Sequence, residues 1–293
     1  ADTTLRTPLR RMASRAAIAF DIDGVFKYGR QWSTDGLGAL KKASEAQIPF
    51  VFVTNGGGGL TEAVYGQHLK EKVVEAGGGS SGDIELPSAE RMVLSYTPWE
   101  SQLCPGLVDK RVLLVGDPRE KVVEVAERYG LTRAVHYSDY AKMHPTINAF
   151  RQAREAGRSH TAVANATLAK GLSSPRPKDD DGGPFSAVLV MCDPYEWYEA
   201  LQIAVDVLCS PTPLTLELDP NAPPMPLHFS NPDFLSKFEH PFPRFAQGAF
   251  KVALLALYKA RLRALRLSEE EIAERVGGSL RQWGKPTEAT FRF

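Results

Sequence analysis

Two aspartates close an apolar run. Residues 16–25 read AAIAFDIDGV, so Asp21 and Asp23 stand two apart and Gly24 follows at once. Aspartate is a poor strand former, yet the run before it reads as a buried strand. Side chains at i and i+2 of a strand point the same way, so both carboxylates face one pocket while Ile22 turns to the core. Gly24 permits a sharp exit from the strand. A second apolar run, 48–55, leads into Thr54-Asn55-Gly56-Gly57-Gly58-Gly59. Here a hydroxyl and an amide precede four glycines, whose bare backbone N–H groups can approach an anion closely.

Two carboxylates at one strand end repel and raise each other's pKa. A hard cation removes that cost, and Mg²⁺ takes one or two carboxylates together with substrate phosphate oxygens. A carboxylate can also serve as a covalent nucleophile toward phosphorus, and a second one can protonate the leaving oxygen and then activate water. The pair Asp21/Asp23 therefore points to metal-assisted phosphoryl transfer.

The elements that must hold these residues alternate between strand and helix. Residues 16–22, 48–55, 111–117 and 185–193 read as buried strands, and 35–47, 61–76, 119–130, 194–209 and 245–265 as helices. The Gly/Ser stretch 77–83 and the polar run 173–183 read as loops. Such alternation predicts an α/β protein with parallel sheets covered on both faces. The expected division is a Rossmann-like core from residues 16–60 and 226–293, with a second α/β unit, 61–225, inserted between them. In open parallel sheets ligands bind beyond the carboxyl ends of strands, which is where both motifs lie.

The 35 basic and 35 acidic residues cancel, so no whole-chain field draws the protein to nucleic acid or to an anionic membrane. Three scattered cysteines, Cys104, Cys192 and Cys209, make neither a disulfide framework nor a zinc site. No apolar run reaches the length of a membrane span. Residues 1–15 form a basic arm, with Arg6, Arg10, Arg11 and Arg15 against Asp2. They are Ser/Thr-rich and look like the tail of a mitochondrial presequence; a plain basic arm on a cytoplasmic protein is the alternative.

Phe20-Asp21-Ile22-Asp23-Gly24-Val25, then Val53-Thr54-Asn55-Gly56-Gly57, then Gly284-Lys285-Pro286, in this order, resemble the haloacid dehalogenase (HAD) superfamily. The match is closest to its subclass IIA, with a large C2-type cap inserted between the second and third motifs. Residues 229–259, with Asn231-Pro232-Asp233 and Gln247-Gly248-Ala249-Phe250, resemble the cat eye syndrome critical region protein 5-type mitochondrial branch. The resemblance implies Asp21 as nucleophile and Asp23 as general acid and base with its backbone carbonyl on Mg²⁺. It implies that Thr54 and the Asn55–Gly56 backbone bind phosphate, that Lys285 neutralises charge, and that Asp233 lies near the mouth of the site as a possible further metal ligand. The implied partner is a small phosphorylated substrate. A fourth, acidic Gly-Asp-x-x-x-Asp element would follow Lys285, and this chain to Phe293 does not hold it. Gly116-Asp117 is no substitute, since it falls between the second and third motifs. The C-terminal part of the core is thus expected to be incomplete. The competing expectation is a family member that keeps the fold in a binding or assembly role. Retention of both Asp21 and Asp23 argues for chemistry.

Overall fold

Residues 17–29, 31–76, 88–144, 147–148, 182–212, 218, 221–237 and 240–292 are described by the structure, a computed structural model. The basic arm 1–15, the Gly/Ser stretch 77–83 and the loop 173–183 apart from Gly182 and Gly183 lie outside them.

Three short parallel strands form the first sheet: β1 (Ile18–Phe20), β4 (Phe50–Val53) and β5 (Met92–Val93), in the order β1-β4-β5. Between β1 and β4 come a small antiparallel hairpin, β2 (Lys27–Tyr28) with β3 (Gln31–Trp32), and helix α1 (Thr34–Glu45). Ser33 starts α1 by accepting from the N–H of Gly36 at 3.1 Å, an N-cap bond. Phenylalanines tie this unit together beneath the strand ends. Phe20 meets Phe26 edge-on at 5.3 Å, and Phe26 meets Phe52 at 5.5 Å. Helix α2 (Glu62–Ala76) follows the glycine loop, and the short α3 (Trp99–Gln102) follows β5.

The second sheet has five parallel strands in the order β12-β9-β8-β6-β7. They are β6 (Val112–Val115), β7 (Ala134–His136), β8 (Ala187–Val190), β9 (Leu227–Phe229) and β12 (Leu280–Gln282). Helices α4 (Arg119–Arg128), α5 (Tyr137–Met143), α6 (Trp197–Cys209), α7 (Gln247–Ala264) and α8 (Glu269–Ser279) accompany it. A hairpin, β10 (Leu235–Ser236) with β11 (Arg244–Phe245), leads into α7, and the short α9 (Glu288–Phe291) ends the described chain. Every residue of β6 and β8 is buried, as expected of parallel strands covered on both faces. Strand alternation assigns the faces. Val112, Leu114, Ala187 and Leu189 join the core that also holds Ile22, Phe52, Leu94 and Trp99 of the first unit. Leu113, Val115, Val188 and Val190 face the core under α6 and α7. The two sheets therefore share one hydrophobic core.

Strand pairing runs across residues 60 and 226. β5, at 92–93, pairs with β4, while β9 and β12, at 227–229 and 280–282, pair within the five-stranded sheet. These strands are only two or three residues long, so nothing in their local pattern names a partner; the register is set by which core their side chains complete.

Candidate active site

Both sheets aim their carboxyl ends into one cleft of about 990 Å³. From the first sheet come Asp21 and Asp23 beyond β1 and Thr54 to Gly58 beyond β4. From the second come Asp117 beyond β6, Asp193 beyond β8, Asp233 beyond β9 and Lys285 beyond β12. The second sheet changes direction between β6 and β8, because β7 lies to one side of β6 and β8 to the other. Such a reversal opens a crevice at the strand ends.

Asp21 and Asp23 reach the cleft as the alternation requires, with Ile22 fully buried between them. Oδ1 of Asp21 accepts from its neighbour's N–H, on Ile22, at 2.8 Å and meets Nζ of Lys285 at 2.5 Å. Among the described residues no hydrogen bond or ion pair goes to Asp21 Oδ2. Asp23 pairs with Nζ of Lys27 at 3.1 Å, across a tight turn in which the N–H of Gly24 donates to the carbonyl of Lys27. Thr54 is buried, and its Oγ1 accepts from the N–H of Gly56 at 3.0 Å. Among the described residues no acceptor takes the proton of that hydroxyl. Gly57 has no room for a side chain, since a Cβ there would stand 2.7 Å from the Tyr96 hydroxyl.

Lys285 and Asp233 are held by groups distant in sequence. Asn55 Oδ1 accepts from the N–H of Lys285 at 2.6 Å, and Asn55 Nδ2 donates to the carbonyl of Lys285 and to Asp233 Oδ1, both at 3.1 Å. The Asn231-Pro232-Asp233 loop is shaped from below by α7. The buried side chain of Gln247 accepts from the N–H of Asn231 at 2.7 Å, and the N–H of Gly248 donates to the carbonyl of Asp233 at 2.7 Å. A Cβ on Gly248 would meet the carbonyl of Pro232 at 2.4 Å, so only glycine lets the helix start there. Burial raises the pKa of Asp233, Asn55 and Lys285 oppose that rise, and Asp21 and Asp23 add to it. The three aspartates thus share one field.

Asp21, Asp23 and Asp233 supply hard oxygen donors, the type Mg²⁺ takes. Among the described residues no three His, Cys, Asp or Glu side chains gather closely enough to hold a metal unaided. That donor set suits an ion that keeps waters and completes its shell with substrate oxygens.

Lys27, Tyr65 and Asp193 line the cleft without having been singled out from the sequence, and Asp117 was weighed there only as a stand-in for the fourth motif. Lys27 sits four residues after Asp23, a spacing that only the turn makes meaningful. Tyr65 falls in the stretch 61–76, read only as a helix, and shares a helical spacing with the core residues Leu69 and Val73. Asp117 lines the opposite wall, where its Oδ2 accepts from the Tyr137 hydroxyl at 2.5 Å and the N–H of Tyr195 at 2.8 Å. Asp193 lies beside it, its Oδ1 buried without a hydrogen-bond partner among the described residues and its carboxyl pushed up to about 6, chiefly by burial. The strand-end location of Asp117 and Asp193 was the available signal.

Comparison with known proteins agrees with this architecture. A family model for haloacid dehalogenase-like hydrolases matches residues 18–132. A mitochondrial hydrolase of Saccharomyces cerevisiae is 31% identical over 96% of this chain and 69% of its own length. A cardiolipin synthase (CMP-forming)/mitochondrial hydrolase fusion protein of Schizosaccharomyces pombe is 28% identical over 94% of this chain, which spans 40% of that protein. Among solved structures, a possible sugar phosphatase of Cytophaga hutchinsonii aligns over 94% of this chain and 69% of its own, at 12% identity and a TM-score of 0.54. A glycerol phosphate phosphatase of Mycobacterium tuberculosis, in complex with magnesium, aligns over 94% of this chain and 56% of its own, at 18% identity and a TM-score of 0.52. With the ordered motifs facing one cleft and a relative this similar along nearly the whole chain, the protein belongs to the haloacid dehalogenase-like hydrolases.

Proposed function

We propose that the chain hydrolyses a small phosphomonoester through an aspartyl-phosphate on Asp21, with Mg²⁺ as cofactor. The observation that carries this reading is the state of Asp21. Asp21 lines the cleft, with one carboxylate oxygen fixed by Ile22 and Lys285 and the other without a partner among the described residues. A nucleophile needs that arrangement: one oxygen orients the group while the other attacks.

Oδ2 of Asp21 forms a bond to phosphorus as the bond from phosphorus to the leaving oxygen breaks. Asp23 gives that oxygen a proton, and the alcohol departs. Asp23 then takes a proton from water as the water oxygen attacks phosphorus, which releases phosphate and restores Asp21. Thr54 donates its hydroxyl proton to a phosphoryl oxygen, and Lys285 keeps positive charge beside the transfer. Asp21 and the main-chain carbonyl of Asp23 are the groups that would hold Mg²⁺, with Asp233 a further candidate; when bound, the ion neutralises phosphoryl charge. Positioning and charge stabilisation supply most of the acceleration in such reactions.

The cleft suits a small ester, and the second sheet's wall is where its leaving group would lie. Names of the yeast relatives support a mitochondrial location. The test is phosphate release from an aryl phosphate with Mg²⁺ and with chelator. Release that needs Mg²⁺ and is lost in Asp21→Asn is expected. No release, or metal-independent release that survives Asp21→Asn, contradicts the proposal and favours a binding role.

A further inference from the structure

Tyr65 stands in the first turn of α2, just past the glycine loop. Its ring packs against the shared core, and the residue also lines the cleft. Gly56 marks the space its hydroxyl faces. A Cβ built on Gly56 would lie 3.3 Å from Asp23 Oδ2, 3.3 Å from Thr54 Oγ1 and 3.8 Å from the Tyr65 hydroxyl. Three oxygens therefore converge on a spot kept open by a glycine, at the phosphoryl end of the cleft.

The hydroxyls of other inward-facing tyrosines are tied down. Tyr96 donates to the carbonyl of Leu60 at 2.5 Å, Tyr129 to Glu62 at 2.5 Å, Tyr137 to Asp117 at 2.5 Å and Tyr258 to the carbonyl of Leu208 at 3.3 Å. Among the described residues the Tyr65 hydroxyl makes no hydrogen bond. A phenol that lines the cleft and bonds to no described residue is free to exchange cleft water for an acceptor on a ligand.

Its surroundings select the chemistry of that ligand. A phosphoryl group offers acceptors, and the nucleophile Asp21 beside it brings only acceptors of its own, so the site needs donors. Burial, then Asp23, then Asp21 raise the pKa of the phenol above its ordinary value, so it remains an O–H at neutral pH.

We propose that Tyr65 is a catalytic residue whose hydroxyl donates a hydrogen bond to a non-bridging oxygen of the transferring phosphoryl group, beside Thr54. This rests on the phosphoryl-transfer reading above, and the test separates the two. Tyr65→Phe removes only the O–H and leaves the ring in the core. Orthovanadate, which adopts the five-coordinate geometry of the transferring group, is titrated in Mg²⁺ into the parent and the variant, with inorganic phosphate as a tetrahedral control and a thermal melt to confirm folding. We expect the variant to fold, to lose about a hundredfold in vanadate affinity, the scale of one preorganised donor, and to lose less for phosphate. A fall in kcat with little change in KM should accompany this.

Unchanged vanadate affinity in a folded Tyr65→Phe overturns the proposal, including the version in which Tyr65 acts only through Asp23. Vanadate binding that depends on Tyr65 in a chain that hydrolyses no phosphomonoester supports the proposal and contradicts the hydrolytic reading. A parent chain that binds no vanadate contradicts both.

Discussion

Asn55 grips the backbone of Lys285 from both sides, accepting from its N–H at 2.6 Å and donating to its carbonyl at 3.1 Å. The side-chain amide thus imitates a neighbouring strand. It joins the end of β4 to the segment after β12, and its second N–H reaches Asp233. Resemblance placed Asn55 in the site for its backbone; the structure gives its side chain work of its own. Asn55→Ala leaves Lys285 present but unfixed. A drop of about tenfold in kcat is expected, smaller than the ~10²-fold loss on Lys285→Ala. Steady-state kinetics on the two variants, with a melt to confirm folding, checks the order.

Gly284 precedes Lys285 with φ +80°, in the left-handed region. A Cβ there would lie 2.4 Å from the carbonyl of Ser230 and 2.9 Å from Asn55 Oδ1. Gly284→Ala should cost about 2 kcal/mol or more, since strain and backbone clash add. It should also lower activity by displacing the Asn55 contact. Urea unfolding measures the first effect and turnover the second.

Glu62 is buried at the start of α2 and accepts hydrogen bonds from the hydroxyls of Thr97 at 2.7 Å and Tyr129 at 2.5 Å. Thr97 follows β5 of the first sheet, and Tyr129 follows α4 of the second, so one carboxylate bridges both. Glu62→Ala strands two buried hydroxyls and should cost ~2–4 kcal/mol. Denaturant unfolding should show the loss, and Glu62→Gln should recover part of it because the acceptor oxygen remains.

Asp193 makes a prediction for pH. Its folded carboxyl is pushed up to about 6, above its ordinary value of 3.8, chiefly by burial. Between these values the folded state holds more protons than the unfolded one, so this group's contribution to stability falls as pH rises from about 4 to 6 and is flat above. His228 acts in the opposite direction: burial lowers it to about 4, so its contribution falls as pH drops below 6.5. The parent therefore shows a muted trend, and the difference between parent and Asp193→Asn isolates the carboxylate. The variant should be more stable by ~2–3 kcal/mol at pH 7, with the gap closing near pH 4. A gap independent of pH would contradict the assignment.

The strand-end carboxylates, the Thr-Asn-Gly loop and the parallel α/β plan were legible because each rests on a local rule: strand alternation, glycine freedom or βα rhythm. The pairing of β5, β9 and β12 was not legible, since two- and three-residue strands carry no address. The lining from Lys27, Tyr65, Asp117 and Asp193 was hidden for a related reason. Tyr65 shares the spacing of a core stripe with Leu69 and Val73, and Asp117 and Asp193 matter only because two sheets point at one cleft. The Gln247-Gly248 pair was visible as a motif, but its purpose, to shape the Asn231-Pro232-Asp233 loop, appears only in the packing.

The most direct test of the central claim is to stop the reaction with acid during turnover of an aryl phosphate in Mg²⁺ and to map the phosphorylated peptide by mass spectrometry. The account predicts a phosphoryl group on Asp21, absent from Asp21→Asn and from reactions without metal. Sustained turnover with no modified peptide, or with the group on another residue, would contradict it.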